Sequence, residues 1–207
     1  GSLLITLRLT LTALFVAIIG GVGLAILFSQ SRIVEATFFP FAVVLQVTPI
    51  VAIAPLIIIY ADEPFTAALI CAWIVAFFPI LSNTTLGLNS ADHGLLNLFK
   101  LYGASRWQTM WLLKLPSALP YFLGGLRIAG GLALIGAVVA EFVIGVSGTG
   151  LGLASRILEA SYRLQYPKMF AALILIMTAG ILIFLAFTAL SHLMLRKWHE
   201  SALKRET

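Results

Sequence analysis

Few residues in this sequence are of types that carry out chemistry. The segment 145–148 reads Gly-Val-Ser-Gly, which places a serine, a possible nucleophile, between glycines, and His192 could act as its general base. Glu141 and Arg127 are ionisable residues inside runs that are otherwise apolar. The pattern G-x-x-x-x-G-K-[ST] does not occur, so the sequence has no P-loop with which to bind ATP. The candidate chemistry is that of a serine hydrolase, and its feasibility depends on the elements that position these residues.

The composition indicates which solvent surrounds those elements. Of the 207 residues, 61% are hydrophobic and only 10% are charged, and the mean hydropathy is +1.07. Soluble globular proteins are roughly 45–50% apolar and about 25% charged. The few charges cannot cover a surface in water, so we expect the lipid bilayer to surround most of the chain. This excludes a soluble enzyme, a disordered tail and a nucleic-acid-binding protein. The net charge of +5 is expected to lie in cytoplasmic loops.

The apolar runs predict an all-α polytopic membrane protein. A helix needs roughly 20 apolar residues to cross about 30 Å of hydrocarbon. Five runs of that length predict one transmembrane domain over 1–207, with helices at about 8–28, 37–60, 65–87, 119–142 and 168–194. Pro49 and Pro55 are expected to kink the second helix.

The loop charges orient these spans, because Lys and Arg collect on the cytoplasmic side. The loop 88–118 and the C-terminal tail are basic, whereas the turn at 61–64 is acidic. We therefore expect 88–118 and the C-terminus inside. The outer segment 143–167 holds two arginines against this rule, a conflict that weakens if the segment folds back into the protein. Five spans would place residue 1 outside, so a sixth, upstream span is expected in the natural protein.

The loop 88–118 predicts two short helices. The first begins at an Asp92 N-cap and ends at Gly103 in the left-handed conformation, and the second begins at a Ser105 cap and ends at Pro116. The apolar faces consist of Leu95, Leu98, Phe99 and Tyr102 in the first helix, and of Trp107, Trp111 and Leu115 in the second. Either both helices lie on the membrane interface, or they dock to a cytoplasmic partner.

Several motifs follow the order and spacing of a known family. They are Thr48-Pro49, Phe78-Pro79-Ile80, Asn83-Thr84, Gly103-Ala104-Ser105, Leu115-Pro116, Gly125-Leu126-Arg127-Ile128, Ala140-Glu141 and the glycine-rich run 147–152. The glycine that is followed by Leu-Pro twelve residues later resembles the cytoplasmic "EAA" loop of ABC importer permeases. The flanking motifs resemble permeases of the sulfonate, taurine, nitrate and thiamine-precursor type. The chain departs from the family pattern at 97–99, where Asn-Leu-Phe stands in place of Glu-Ala-Ala.

The resemblance implies a permease subunit that passes a small polar solute through the bacterial inner membrane and is not itself an enzyme. The implied partners are two ABC ATPase subunits, a second permease copy and a solute-binding protein that is periplasmic or lipid-anchored. No cofactor, metal or catalytic residue is implied, and the solute stays open among sulfonate, nitrate, bicarbonate, a thiamine pyrimidine precursor and others. The implied ATPase-coupling residues are Leu95, Asn97, Leu98, Phe99, Tyr102, Gly103, Ala104, Leu115 and Pro116.

Polar residues inside the spans are the candidates for the translocation path. They are Gln46, Thr48, Asn83 and Glu141. Each also has a structural interpretation, namely helix–helix hydrogen bonds for the uncharged residues and pairing with an outer arginine for Glu141. Arg127 either takes part in gating or extends its guanidinium inward to the interface.

Two other functions compete with transport. A rhomboid-like intramembrane serine protease would need Ser147 and His192 in contact. However, Ser147 is expected at the outer end of the fourth span, and His192 roughly 36 Å along the fifth helix, near its inner end. A passive channel would not need the two amphipathic helices of 88–118. The sequence therefore favours the energy-coupled permease.

Overall fold

The computed structural model describes residues 1–61, 63–146 and 152–196, and every regular element in those ranges is helical. The helices are α1 (Ser2–Gln30), α2 (Arg32–Val47), α3 (Ile50–Tyr60), α4 (Pro64–Asn89), α5 (His93–Leu101), α6 (Arg106–Thr109), α7 (Leu115–Val146), α8 (Leu153–Tyr162) and α9 (Tyr166–Leu195). A π-helical turn, Met110–Lys114, joins α6 to α7. The predicted all-α class is confirmed.

Four continuous helical segments are long and apolar enough to cross a membrane. They are Ser2–Gln30, Pro64–Asn89, Arg106–Gly145 and Tyr166–Leu195. The bent pair α2 and α3 makes a fifth candidate when it is counted as one broken span. The number and order of the predicted spans therefore hold. By the loop charges, the end of the bundle near 88–118 is the inner, cytoplasmic end, and the end near 61–64 is the outer end.

The second predicted span is wrong as a single helix. α2 and α3 are bent by 101° at the break between them. Thr48 ends α2 in an extended conformation, with φ −69° and ψ 123°, which is the conformation that a following proline favours. Pro49 therefore produces a sharp break rather than a kink. Pro55 lies inside α3 without ending that helix.

The inner boundary predicted for the fourth span is also wrong. The chain stays helical from Arg106 to Gly145, so the second loop helix is the start of this span and does not end at Pro116. The π-helical turn explains why, because Leu115 N donates to the Met110 carbonyl five residues earlier. This wider turn re-pairs the backbone where proline removes a donor. Ser117 Oγ donates to the Leu113 carbonyl at 2.8 Å and satisfies a further group.

The centre of the bundle is a close approach of α4 and α7, with α1 packed on α4. Glycines make this approach possible. A Cβ atom on Gly136 would lie 2.9 Å from Ala72 Cα, and one on Gly125 would lie 2.8 Å from the Pro79 carbonyl oxygen. Small residues at membrane helix interfaces allow such backbone contact, which replaces the hydrophobic effect as the source of association.

The outer segment folds back onto the bundle through α8. This helix packs against α7 and α9 and buries Leu153, Ala154, Ser155, Ile157 and Ala160. Its outward face carries an ion-pair cluster in which Glu159 contacts Arg156 at 2.7 Å and Arg163 at 3.1 Å. The Arg156 hydrogen bond, with the nearby Arg163 charge, holds the pKa of the Glu159 carboxyl below its usual range. The two arginines therefore belong to a packed helix rather than to a free loop.

Candidate functional site

The candidate coupling site is α5, a helix that projects from the inner end of the bundle. Its N-cap is Asp92, whose Oδ1 accepts from Leu95 N at 2.9 Å, as the sequence predicted. No residue of α5 is buried. Leu95 and Leu98 are each 45% exposed, and Tyr102, just after the helix, is 81% exposed. The predicted apolar face thus remains accessible, except at Phe99, which is half-buried.

A tight turn fixes the direction in which the chain leaves α5. Gly103 has φ +70°, the left-handed conformation that the sequence predicted for it. Gly103 N donates to the Lys100 carbonyl at 3.1 Å, and Ala104 N donates to the Phe99 carbonyl at 2.9 Å, which is the hydrogen-bond pattern of a Schellman motif. Two backbone bonds therefore define this helix end.

The next helix, α6, begins directly after that turn, and side-chain hydrogen bonds cap its N-terminus. Ser105 Oγ accepts from Gln108 N at 3.2 Å, and Gln108 Oε1 accepts from Ser105 N at 2.7 Å. This is a complete capping box, of which the sequence predicted the Ser105 half. Since the segment from Arg106 to Gly145 is continuously helical, α5 is connected to the outer face of the bundle by one long helix.

The other predicted coupling residues separate into two places. Asn97 is exposed on α5, and Ala104 is half-buried in the turn. Leu115 and Pro116 instead lie in the first turn of α7, where Leu115 packs against the core of the bundle. The structure therefore brings 95–104 together and leaves Leu115 and Pro116 as part of the spanning helix.

Glu141 occupies a second polar site, at the outer end of α7. Its side chain is fully buried. Thr6 Oγ1 donates to Glu141 Oε1 at 2.8 Å, and Ala154 N donates to Oε2 at 3.1 Å. Leu153 N donates to Thr6 Oγ1 at 3.0 Å. Because Leu153 and Ala154 begin α8, side chains from α1 and α7 together satisfy the N-terminus of a third helix.

The contacts of Glu141 differ from those that the sequence analysis expected. An arginine partner was expected for Glu141, but among the described residues its side chain accepts from the Thr6 hydroxyl group and from the backbone N–H of Ala154. Gly152 is needed there, since a Cβ atom on it would collide with the Glu141 carboxylate and with Thr6 Oγ1. Sequence reasoning missed Thr6, which lies 135 positions from Glu141 and belongs to no motif.

The remaining path candidates do not converge with Glu141. Gln46 is exposed on the last turn of α2, and Thr48 Oγ1 donates to the Val44 carbonyl at 2.6 Å. Asn83 Nδ2 donates to the Pro79 carbonyl at 2.9 Å on α4. The contacts that the structure gives Thr48 and Asn83 are therefore bonds to their own helices.

The structure also describes Arg127 and His192, which the sequence analysis considered for gating and for protease chemistry. The Arg127 guanidinium lies 5.7 Å from the centroid of the Phe184 ring, a cation–π contact between α7 and α9. His192 is exposed in the last turn of α9. Ser147 and most of the glycine-rich run lie outside the described residues.

Comparisons with known proteins give a consistent picture. A family model described as "Binding-protein-dependent transport system inner membrane component" matches residues 14–196. A "Probable ABC transporter permease protein" of Haemophilus influenzae is 31% identical over 188 residues, covering 91% of this chain and 75% of the relative. The "Formylaminopyrimidine transport permease protein ThiX" of Halalkalibacterium halodurans is 34% identical over 190 residues, covering 92% of this chain and 74% of the relative.

Solved structures show the same fold. The inward-facing MetNI methionine ABC transporter superposes with a TM-score of 0.75 at 20% identity, covering 92% of this chain and 93% of that chain. An amino acid ABC transporter superposes with a TM-score of 0.72 at 20% identity, covering 95% and 92% of the two chains. At this identity the likeness concerns the arrangement of the helices.

Proposed function

This chain belongs to the family of binding-protein-dependent transport system inner membrane components, and on that basis we propose that it couples solute passage to a partner ATPase. As the permease subunit of an ABC importer, it resides in the bacterial inner membrane, and the ATPase docks on α5. The observation that carries this proposal is the exposed apolar face of α5 between two rigid caps. A partner that covers the accessible apolar side chains of this helix would remove them from water.

The docking energy can be approximated from the exposed side chains. Full burial of a leucine contributes about 1.5–3 kcal/mol. Leu95 and Leu98 are 45% exposed, so a partner groove that covers both contributes ~1 kcal/mol from each. Tyr102 is 81% exposed and adds a larger apolar area with a polar tip, a composition typical of interface anchors. Asn97 offers an amide where the family pattern has a carboxylate, so the interface depends on packing rather than on an ion pair.

Motion of α5 has a direct route to the outer face. The Gly103 turn and the Ser105 capping box join α5 to a helical segment of 40 residues, which is roughly 60 Å long. The far end of that segment carries Glu141, which holds the N-terminus of α8. A tilt of the long helix driven by the ATPase therefore shifts the outer helix α8 as well. We infer that this is how the subunit changes access between the two sides.

A second copy of this chain would complete the pathway. α2 and α3 bury one residue each, Ala42 and Ala54, and expose most of their apolar side chains. Gln46 lies in the last turn of α2 and Thr48 lies at the break, so two polar residues stand near the middle of the broken span. Two such faces brought together would hide apolar surface and place these polar groups beside a shared pathway.

The solute belongs to the class of small polar compounds. The names of the relatives include formylaminopyrimidine and riboflavin transport, and the candidate path residues Gln46, Thr48 and Asn83 are uncharged. Other relatives are named for transport of nitrate, aliphatic sulfonates, taurine and bicarbonate, so the proposal extends to the class of small polar solutes and not to one compound. A soluble binding protein would deliver the solute outside.

The experiment that tests this function is transport in proteoliposomes that contain the chain, its ATPase and its binding protein. We expect uptake only with ATP inside the compartment that faces α5. Uptake at an unchanged rate without the ATPase would overturn the proposal in favour of a passive channel.

A further inference from the structure

A basic cavity lies beside α5 and is lined by its Leu96 and Lys100, not by the leucines of the predicted apolar face. It has a volume of about 350 Å³ and lies between the end of α1, α5 and the first turns of the long helix. That volume falls in the range of roughly 300–1,000 Å³ typical of small-molecule sites. The polar groups that line it include Ser29, Gln30, Lys100, Arg106 and Lys114.

The charge of this cavity is unbalanced. Lys100, Arg106 and Lys114 bring three positive charges, and no Asp or Glu lines the cavity. Among the described residues, none of the three cations forms a salt bridge, since the ion pairs present there join Glu159 to arginines on the outer side. Cations gathered without an internal acid indicate a site for an external anion.

Lys114 shows how the cavity is held in shape. Its Nζ donates to Ser29 Oγ at 2.9 Å and to the Ser29 carbonyl at 3.4 Å, so it neutralises the negative end of the α1 dipole. The Ser29 hydroxyl accepts this bond and keeps its own proton for a second acceptor. Lys100 and Arg106 are exposed, and neither side chain donates a hydrogen bond to another of the described residues, so they are available to a ligand.

The neighbouring aromatic residues show where this cavity lies relative to the bilayer. Trp107 and Trp111 are 65% and 63% exposed, and each follows directly after a cavity-lining residue, Arg106 and Met110. Exposed tryptophans on a spanning helix are enriched at the level of the lipid headgroups. The cavity is therefore at headgroup depth on the inner side, where anionic lipids create a negative surface potential.

We propose that this cavity binds the phosphate headgroup of an anionic phospholipid of the inner leaflet. Arg106 provides the planar donor fork that suits phosphate oxygens, and Lys100 and Lys114 provide charge. Basic pockets between membrane helices on the cytoplasmic side are known to take such headgroups. A headgroup that touches both Lys100 and Arg106 bridges the Gly103 turn and fixes α5 relative to the long helix. Headgroup binding does not depend on the proposed transport function.

The test is a binding titration of the purified full chain in neutral detergent. The ligands are a phosphatidylglycerol, a phosphatidylcholine of the same acyl chains, and inorganic phosphate, and the readout is the shift in thermal unfolding temperature. The variant is K100Q/R106Q, and the control is R163Q/K168Q, which removes the same charge at the outer end. A swapped variant, K100R/R106K, keeps both charges in place.

We expect phosphatidylglycerol to stabilise the chain and phosphatidylcholine to have little effect. K100Q/R106Q should weaken the phosphatidylglycerol affinity about ten-fold or more, because two charge-assisted contacts are lost. The control should keep the affinity, and the swapped variant should bind more tightly than K100Q/R106Q, because it keeps both charges, and more weakly than the wild type, because the donor fork has moved. An equal affinity in K100Q/R106Q and the control would overturn the site. An equal stabilisation by inorganic phosphate alone would overturn the lipid as its source.

Discussion

Replacing Thr6 with valine removes one hydroxyl group that connects three helices. In the wild type, Thr6 Oγ1 donates to the buried Glu141 carboxyl group at 2.8 Å and accepts from Leu153 N at 3.0 Å. Valine has nearly the same shape, so packing is preserved while both bonds disappear. Leu153 N is then buried without an acceptor, and Glu141 keeps Ala154 N as its donor to α8.

The cost of the substitution is the loss of these two bonds. A buried hydrogen bond contributes ~0.5–3 kcal/mol, with the upper end for a charged partner, and a buried donor left unpaired costs ~1–3 kcal/mol. Because the two effects share one cluster and are not additive, we expect Thr6→Val to destabilise the chain by about 2–4 kcal/mol. The loss is confined to the contacts of α8 with α1 and α7, so α8 should open before the bundle unfolds.

The assay compares this variant with Thr10→Val, one turn further along α1. Thr10 is as buried as Thr6, but the bond that its hydroxyl donates is to the Thr6 carbonyl of its own helix, at 2.8 Å. That carbonyl already has a backbone partner, so the control should cost only about 0.5 kcal/mol. The measurements are the unfolding temperature in detergent and hydrogen exchange of the α8 amides. If Thr6→Val and Thr10→Val lost equal stability, with α8 equally protected in both, the cross-helix cap would have no energetic role.

Three further substitutions test other parts of the molecule. Gly136→Ala should cost roughly 1–3 kcal/mol because its Cβ would lie 2.9 Å from Ala72 Cα, whereas Gly131→Ala, with open space around it, should be neutral or stabilising in the same thermal unfolding assay. Gly103→Val should strain a turn at φ +70° by roughly 1–2 kcal/mol. The spans should still insert, but substrate should no longer stimulate the ATPase. Normal coupling in vesicles would refute this prediction. Leu164→Gly should raise the unfolding free energy by up to about 1 kcal/mol. Glycine relieves the left-handed strain at φ +54°, and this gain outweighs the extra backbone entropy that glycine loses on folding. A lower unfolding temperature would contradict this.

Features that depend on neighbouring residues could be predicted from the sequence. The Asp92 cap, the Ser105 cap and the left-handed Gly103 were all predicted correctly, because a cap involves residues only three positions apart. The apolar spans could also be located, since each is long and nearly free of charge. Local rules carry this information without any knowledge of tertiary contacts.

Features that depend on distant residues could not be predicted. Pro116 looks like the end of a helix, but the π-helical turn before it keeps the helix continuous. The Thr48-Pro49 pair does not reveal how large the bend is, because the size depends on the packing of α3 against α4 and α7. Thr6 looks like any threonine in an apolar helix until α7 and α8 are placed beside it. Each of these outcomes is decided by tertiary packing that overrides a local preference.

The central claim is that α5 is the docking element for a partner ATPase, and the most direct measurement is the affinity of the purified chain for that ATPase. Leu98→Ala is compared with Leu112→Ala, the same substitution at an exposed leucine in the π-helical turn of the long helix. We predict that Leu98→Ala weakens binding by about five-fold, because ~1 kcal/mol of apolar burial is lost, while Leu112→Ala binds like the wild type. Unchanged affinity in Leu98→Ala, with intact solute-stimulated hydrolysis, would contradict the account and mean that α5 rests on the membrane.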